Sequence, residues 1–217
     1  MSAFVIHTVP GSPYARAVAA TLEEKNAEWR VTGLRPGALR SPAHLSLHAF
    51  GRMPVLEHGD FVLYETQAIL RYVDRVIEHP ALTPGEVRAA ARMDQLMNIN
   101  DWYLFQGCGN VIVWNRVVGP KVIGLVPDEQ AIAAAMPRAR IVIGELARVL
   151  ADQPYFAGPQ LSLADLLIAP QLDLFAAAPE WSELTAAAPT LVRWLDRMRE
   201  RRSMQRTTWA EVAAKAA

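Results

Sequence analysis

A serine stands directly before a proline in TVPGSPYARAV, residues 8–18. Proline pushes the preceding residue into the extended region and is itself favoured at the first helical position. Ser12 is therefore a natural N-cap, its side-chain oxygen accepting an amide from the following turn. A hydroxyl has one proton and two lone pairs, so the same group can cap the helix and still donate to an outside anion. The helix N-terminus already favours negative charge there. Two roles stay open on these residues alone, a pure cap and a donor to a bound anion.

Other groups with chemical potential are few. Glu65-Thr66 opens a second helix, where an acidic residue followed by Thr also suits ordinary capping. Cys108 is the only cysteine, so there is no disulfide framework and no cysteine-based zinc site. The histidines, at 7, 44, 48, 58 and 79, show no metal-ligand spacing. His44 and His48 are one turn apart, but with no supporting carboxylate nearby in sequence they are expected at the surface. Trp102, Tyr103, Phe105 and Trp114 fall at helical spacing, which suits core packing as well as a binding wall.

Two kinds of element position these groups. Residues 3–9, AFVIHTV, are short, apolar and β-branched, as in a buried strand. Ala15, Val18, Ala19 and Leu22 then mark one face of a helix, and EWRVTGL gives a second strand, completing a βαβ unit. PVLEHGDFVLY reads as a hairpin turning at Gly59-Asp60. Ile69, Leu70, Val73, Val76 and Ile77 line a further helix, so the first part is βαβ followed by ββα on a four-stranded sheet. EHPALTPGE is the linker, placing the domains at 1–79 and 86–217. Beyond it strand signals nearly vanish. A long helix from about Glu86 is expected to break around Gly107–Asn110, and Pro137 is expected to kink or divide the next. The fold class is α/β followed by all-α.

Composition narrows the partners. Lys plus Arg is 22 and Asp plus Glu is 22, giving a formal net charge of zero. Phosphate backbones demand a basic excess, so nucleic acid is not expected as a partner. No apolar run approaches the ~20 residues that span a bilayer. The N-terminal residues do not read as a secretion signal. A soluble cytoplasmic protein without a membrane partner is expected.

Gly51, Met53 and Pro54, the Gly59-Asp60 turn, then Glu65 and Thr66 form a pattern that resembles the glutathione transferase superfamily. The block LSLADLLIAP, with Ser162 and Asp165 in capping-box spacing, and the ending PTLVRWLDRMRERRS extend that resemblance over essentially the whole chain. Ser12, four residues ahead of Arg16, is most similar to the serine-type, phi-like members. The resemblance implies a thioredoxin-like domain followed by a helical one, a homodimer, and conjugation of glutathione to a small hydrophobic electrophile. It implies glutathione as co-substrate and no metal. Ser12 would stabilise the thiolate as a donor, and Pro54 would be cis, presenting the backbone of Met53 to the cysteinyl part. Glu65 and Thr66 would hold the γ-glutamyl end, and Arg40 or Arg52 the glycyl carboxylate. Pro10, Gly11, Trp102 and Tyr103 would meet the electrophile. Glutathione-dependent peroxide reduction, or a non-catalytic binding or regulatory role on the same fold, are the alternatives.

Overall fold

The computed structural model describes residues 3–35 and 37–216. It forms two compact units, Met1–Leu82 with Arg201–Ala217, and Thr83–Glu200.

The first unit is built on strands β1 (Phe4–Thr8), β2 (Trp29–Gly33), β3 (Val55–His58) and β4 (Phe61–Tyr64). They lie in the order β2-β1-β3-β4. β1 pairs parallel with β2, Phe4 opposite Trp29, and antiparallel with β3, Phe4 opposite His58. All five β1 residues are buried, as their apolar run requires of a central strand. The hairpin turns at Gly59-Asp60 as the sequence predicts. Helix α1 (Pro13–Glu24) crosses from β1 to β2, and α3 (Thr66–Val76) follows β4. The predicted apolar face of α1, Ala15, Val18, Ala19 and Leu22, is fully inside. A 3₁₀ turn (Ala38–Arg40) and helix α2 (Pro42–Leu47) connect β2 to β3.

Lys25, just past α1, is buried with its ammonium 2.6 Å from Asp74. It also donates to the carbonyls of Ile77 and Pro80, at 2.6 and 2.5 Å. One cation thus collects the carbonyls left over at the end of α3, where the helix dipole favours positive charge. Asp74 in turn accepts the Leu82 amide at 2.9 Å, so the start of the linker is fastened to this unit.

The segment from Arg201 also packs here, although the sequence reading groups it with the helical domain. Helices α10 (Arg202–Gln205) and α11 (Trp209–Ala216) lie against α1 and β2 respectively. Arg201 holds Glu24 through two nitrogens at 2.8 Å, and Ser203 donates to the same carboxylate. Arg16 donates to the Met204 carbonyl at 3.0 Å. The distance in sequence between these partners hides the pairing from any local pattern.

In the second unit α4 (Val87–Ile99) continues directly into a π-helical segment (Asn100–Val118) and α5 (Gly119–Ile123). The expected break at Gly107–Asn110 does not occur. The wider i→i+5 winding, seen where the Gly119 amide meets the Trp114 carbonyl, absorbs the glycines without a turn. Gly107 packs beside Arg138 of α6 (Glu129–Leu150), at a distance where a Cβ would meet it in ordinary contact, 3.6 Å. Pro137 sits inside α6 and does not divide it. The buried seam Ile132, Met136, Ala139, Ile143, Leu146 and Leu150 runs through the proline, so packing overrides the local preference.

Helix α7 (Leu163–Phe175) is buried along almost its whole length. Ser162 and Asp165 form the predicted capping box. Fully buried Asp165 also accepts the Phe156 amide at 2.9 Å and the Trp194 indole at 3.0 Å. Helices α8 (Glu180–Thr185) and α9 (Pro189–Glu200), which carries Trp194, complete this unit.

Candidate functional site in the first unit

Ser12 occupies the N-cap of α1 in extended conformation, φ −70° and ψ 116°, and its Oγ accepts the Ala15 amide at 3.2 Å. It is partly exposed, and no described residue takes its hydroxyl proton. The cap is confirmed, and it uses only one lone pair. The proton remains available to a group outside the chain.

The loop ahead of Ser12 is shaped by Gly11, at φ +90°, a region glycine enters without a Cβ penalty. A Cβ built there would lie 2.7 Å from the Trp209 indole. Trp209, at the start of α11, therefore lies directly over this loop. Sequence reasoning missed it, since nothing near Trp209 signals a partner almost 200 residues away.

Met53 meets the chain where it leaves β1 for this loop. Its sulfur accepts from the Val9 amide at 3.3 Å and the Thr8 hydroxyl at 3.5 Å. The Met53–Pro54 bond is cis. Pro54 is buried and Met53 partly exposed. Just before them Gly51 adopts φ +58°, and an added Cβ would fall 2.6 Å from the Leu39 carbonyl and 3.1 Å from an Arg40 guanidinium nitrogen. That close approach brings the exposed side chain of Arg40 beside the segment bearing Arg52, also exposed.

The third segment is the entry to α3. Glu65 takes φ +69°, ψ 111° and makes no side-chain cap, so the ordinary capping role does not hold for it. A non-glycine residue at positive φ is uncommon and concentrates where the backbone is held for a purpose. Its carboxylate is exposed, while Thr66 is buried.

Between these segments lie two residues expected at the surface. His44 and His48 are 3% and 2% exposed, so that expectation is corrected. Their carboxylate neighbour is remote in sequence: Glu65 acts on His48. Burial pushes the His48 imidazole below its ordinary pKa, Glu65 opposes that, and His44 and Arg52 add to it. The ring of His48 stacks on Tyr64 with centroids 4.3 Å apart.

The structure thus gathers Pro10, Gly11, Ser12, Arg40, Arg52, Met53, Pro54, Glu65 and Thr66 into one unit. Trp102 and Tyr103 belong to the second, on its π-helical segment, where both are exposed. Cys108 is buried there, and burial raises its thiol to about 12. No group of His, Cys, Asp and Glu able to hold a metal occurs among the described residues. No helix among them is long and apolar enough to cross a membrane.

Comparison with known proteins bears on both units. Residues 4–75 match the family model described as glutathione S-transferase, N-terminal domain, and residues 112–202 that of glutathione S-transferase, C-terminal domain. Glutathione S-transferase 3 of Zea mays is 28% identical over 214 residues, covering 97% of this chain and 95% of that one. Glutathione S-transferase theta-2B of Homo sapiens is 30% identical over 176 residues, covering 79% and 69%. Among solved structures, the theta class enzyme of the citrus canker pathogen Xanthomonas axonopodis pv. citri, with glutathione bound, gives a TM-score of 0.84. It is 26% identical, over 96% of this chain and 98% of that one.

Proposed function

The chain belongs to the glutathione S-transferase family, and from that premise we propose that it binds glutathione in its first unit, ionises the thiol beside Ser12 and transfers the sulfur to a small hydrophobic electrophile. The observation that carries this reading is the hydroxyl of Ser12, which caps α1 with one lone pair and keeps its proton uncommitted.

A free cysteine thiol has a pKa of roughly 8.5 and is only a few per cent ionised near neutrality. One charge-assisted hydrogen bond contributes about 1.5–3 kcal/mol, up to roughly a hundredfold in thiolate population. Ser12 and the end of α1 together are adequate for that. The serine donates and is never the nucleophile. The thiolate lone pair attacks the electrophile's carbon, a C–S bond forms, and the leaving group departs with its electron pair.

In this reading the Met53 backbone takes the cysteinyl part of glutathione, as an added strand would. Thr66 meets the γ-glutamyl carboxylate and Glu65 its ammonium. Arg40 and Arg52 compete for the glycyl carboxylate, to which a guanidinium is well matched. Pro10 and Gly11 border the sulfur. Family membership also supports a cytoplasmic homodimer, which sedimentation would check.

The test is the ultraviolet thiolate absorbance of bound glutathione against pH, in wild type, Ser12→Ala and Ser12→Gly. Glycine is tolerated at an N-cap within a few tenths of a kcal/mol, so Ser12→Gly removes the donor while sparing the helix. Thiolate forming well below the free thiol's range in wild type, and near it in both variants, supports the reading. Unchanged ionisation in the variants removes Ser12 from the chemistry. No glutathione binding overturns the reading in favour of a non-catalytic binding protein. Electrophiles and organic peroxides, assayed side by side, then separate transfer from peroxide reduction.

A further inference from the structure

The buried pair His44 and His48 has no part in the reading above, yet both rings are bonded to the short segment that leads into Met53-Pro54. His44 Nε2 lies 2.7 Å from the Arg52 carbonyl oxygen. A carbonyl only accepts, so this nitrogen carries the proton. His44 Nδ1 is then the bare nitrogen of the neutral ring, and it is buried with no partner among the described residues. His48 Nδ1 accepts the Phe50 amide at 3.3 Å, so it too is unprotonated at that atom. The pair is near-parallel, with centroids 6.3 Å apart.

Each connection is local and rigid. Ser41 caps α2 by accepting the His44 amide at 3.2 Å, which fixes the start of the helix. The His48 amide returns to the His44 carbonyl at 2.9 Å, and the Gly51 amide to the His48 carbonyl at 2.8 Å. The two rings therefore tie down residues 50 and 52, while His48 also stacks on Tyr64, next to Glu65.

We propose that His44 and His48 are positioning residues for the glutathione site, His44 Nε2–H holding the Arg52 carbonyl and His48 Nδ1 the Phe50 amide, and that a proton on His48 Nδ1 displaces that amide, loosens the segment and weakens glutathione binding. This rests on the proposed function. Imidazole is the side chain that ordinarily changes charge between pH 5 and 8. A proton on His48 Nδ1 would displace the Phe50 amide. On His48, Arg52 and the neighbouring His44 oppose a proton, and Glu65 at the entry to α3 favours one but is exposed and screened by water, while Tyr64 of β4 stacks on the ring. Burial is the largest influence on His48 and favours its neutral form.

The test is the affinity for S-methylglutathione, whose thioether cannot ionise, measured by calorimetry from pH 7.5 to 5.5. His48→Asn keeps an acceptor near the position of Nδ1 but cannot titrate, and His44→Leu removes the donor to the Arg52 carbonyl. Wild type should lose about tenfold in affinity on acidification, the scale of one neutral hydrogen bond. His48→Asn should match wild type at pH 7.5 and stay within about twofold at pH 5.5. His44→Leu should be weak throughout. Hydrogen exchange of the 50–53 amides, after correction for intrinsic rates, should show the same pattern without ligand. A wild-type affinity flat with pH, or a His48→Asn profile matching wild type, overturns the proposal alone. Absence of binding in every form overturns the proposed function, and the role of His44 in the site with it; the exchange data then show whether the brace itself exists.

Discussion

Trp209 lies across Gly11, so close that a single carbon added to the glycine would sit 2.7 Å from the indole. The loop that delivers Ser12 is thus shaped by its own positive φ and by a ring from the far end of the chain. Gly11→Ala should cost about 1–2 kcal/mol from the left-handed backbone and about 1–3 kcal/mol from overpacking. Urea denaturation should show the overpacking part disappear when Gly11→Ala is made in a Trp209→Ala background. Equal losses in both backgrounds would mean that the ring does not constrain the loop.

Glu24 anchors the same C-terminal segment, and its protonation should loosen it. Burial pushes the carboxyl up, but hydrogen bonds from Arg201 and Ser203, with the charge of Arg201, outweigh this and leave it below its ordinary 4.5. A depressed carboxyl contributes stability that is present above its unfolded value and lost as pH falls through the folded one. Hydrogen exchange over residues 201–216 should therefore accelerate, beyond intrinsic rates, as pH drops below about 4.5. Glu24→Gln should exchange faster at neutral pH and show a smaller acid response. An unaltered acid response in that variant would assign it to another group.

Lys25→Met should be among the most damaging single substitutions in the first unit. It leaves the buried Asp74 carboxylate without its cation and the Ile77 and Pro80 carbonyls without a donor. Removing one member of a buried pair typically costs about 3–5 kcal/mol. A shift in the urea midpoint corresponding to under about 1 kcal/mol would show that the pair is worth no more than a surface one.

Cys108 should be inert. With burial raising its thiol to about 12, there is almost no thiolate to react at neutral pH. Iodoacetamide at pH 8 should leave the native protein unmodified and alkylate it fully in denaturant. Rapid native alkylation would reopen cysteine chemistry in the second unit.

What the sequence made legible was local. The period of Ala15, Val18, Ala19 and Leu22 placed α1, Ser12-Pro13 placed its cap, and Ser162 with Asp165 placed that of α7. Interactions that join distant residues were not legible. His44 and His48 read as surface groups because their partners, Arg52 and Tyr64, belong to a later loop and strand. Asp165 read as a cap, whereas the Trp194 indole that also binds it comes from another helix. The positive φ of Glu65 was not legible either, because backbone conformation follows tertiary constraint more than residue type. The intact helices through Gly107–Asn110 and Pro137 show the same thing, since burial along their seams outweighed the local breakers.

The first unit is not continuous along the chain: Thr83–Glu200 intervenes between its sheet and the α10–α11 segment that packs on it. During synthesis from the N-terminus, the sheet therefore emerges long before its last covering. Gly11 waits for Trp209, and Glu24 for Arg201, until the entire intervening unit has been made. The loop bearing Ser12 acquires these surroundings only once the α10–α11 segment has been made, so a nascent chain stalled before that point carries the site's residues without the packing that sets them.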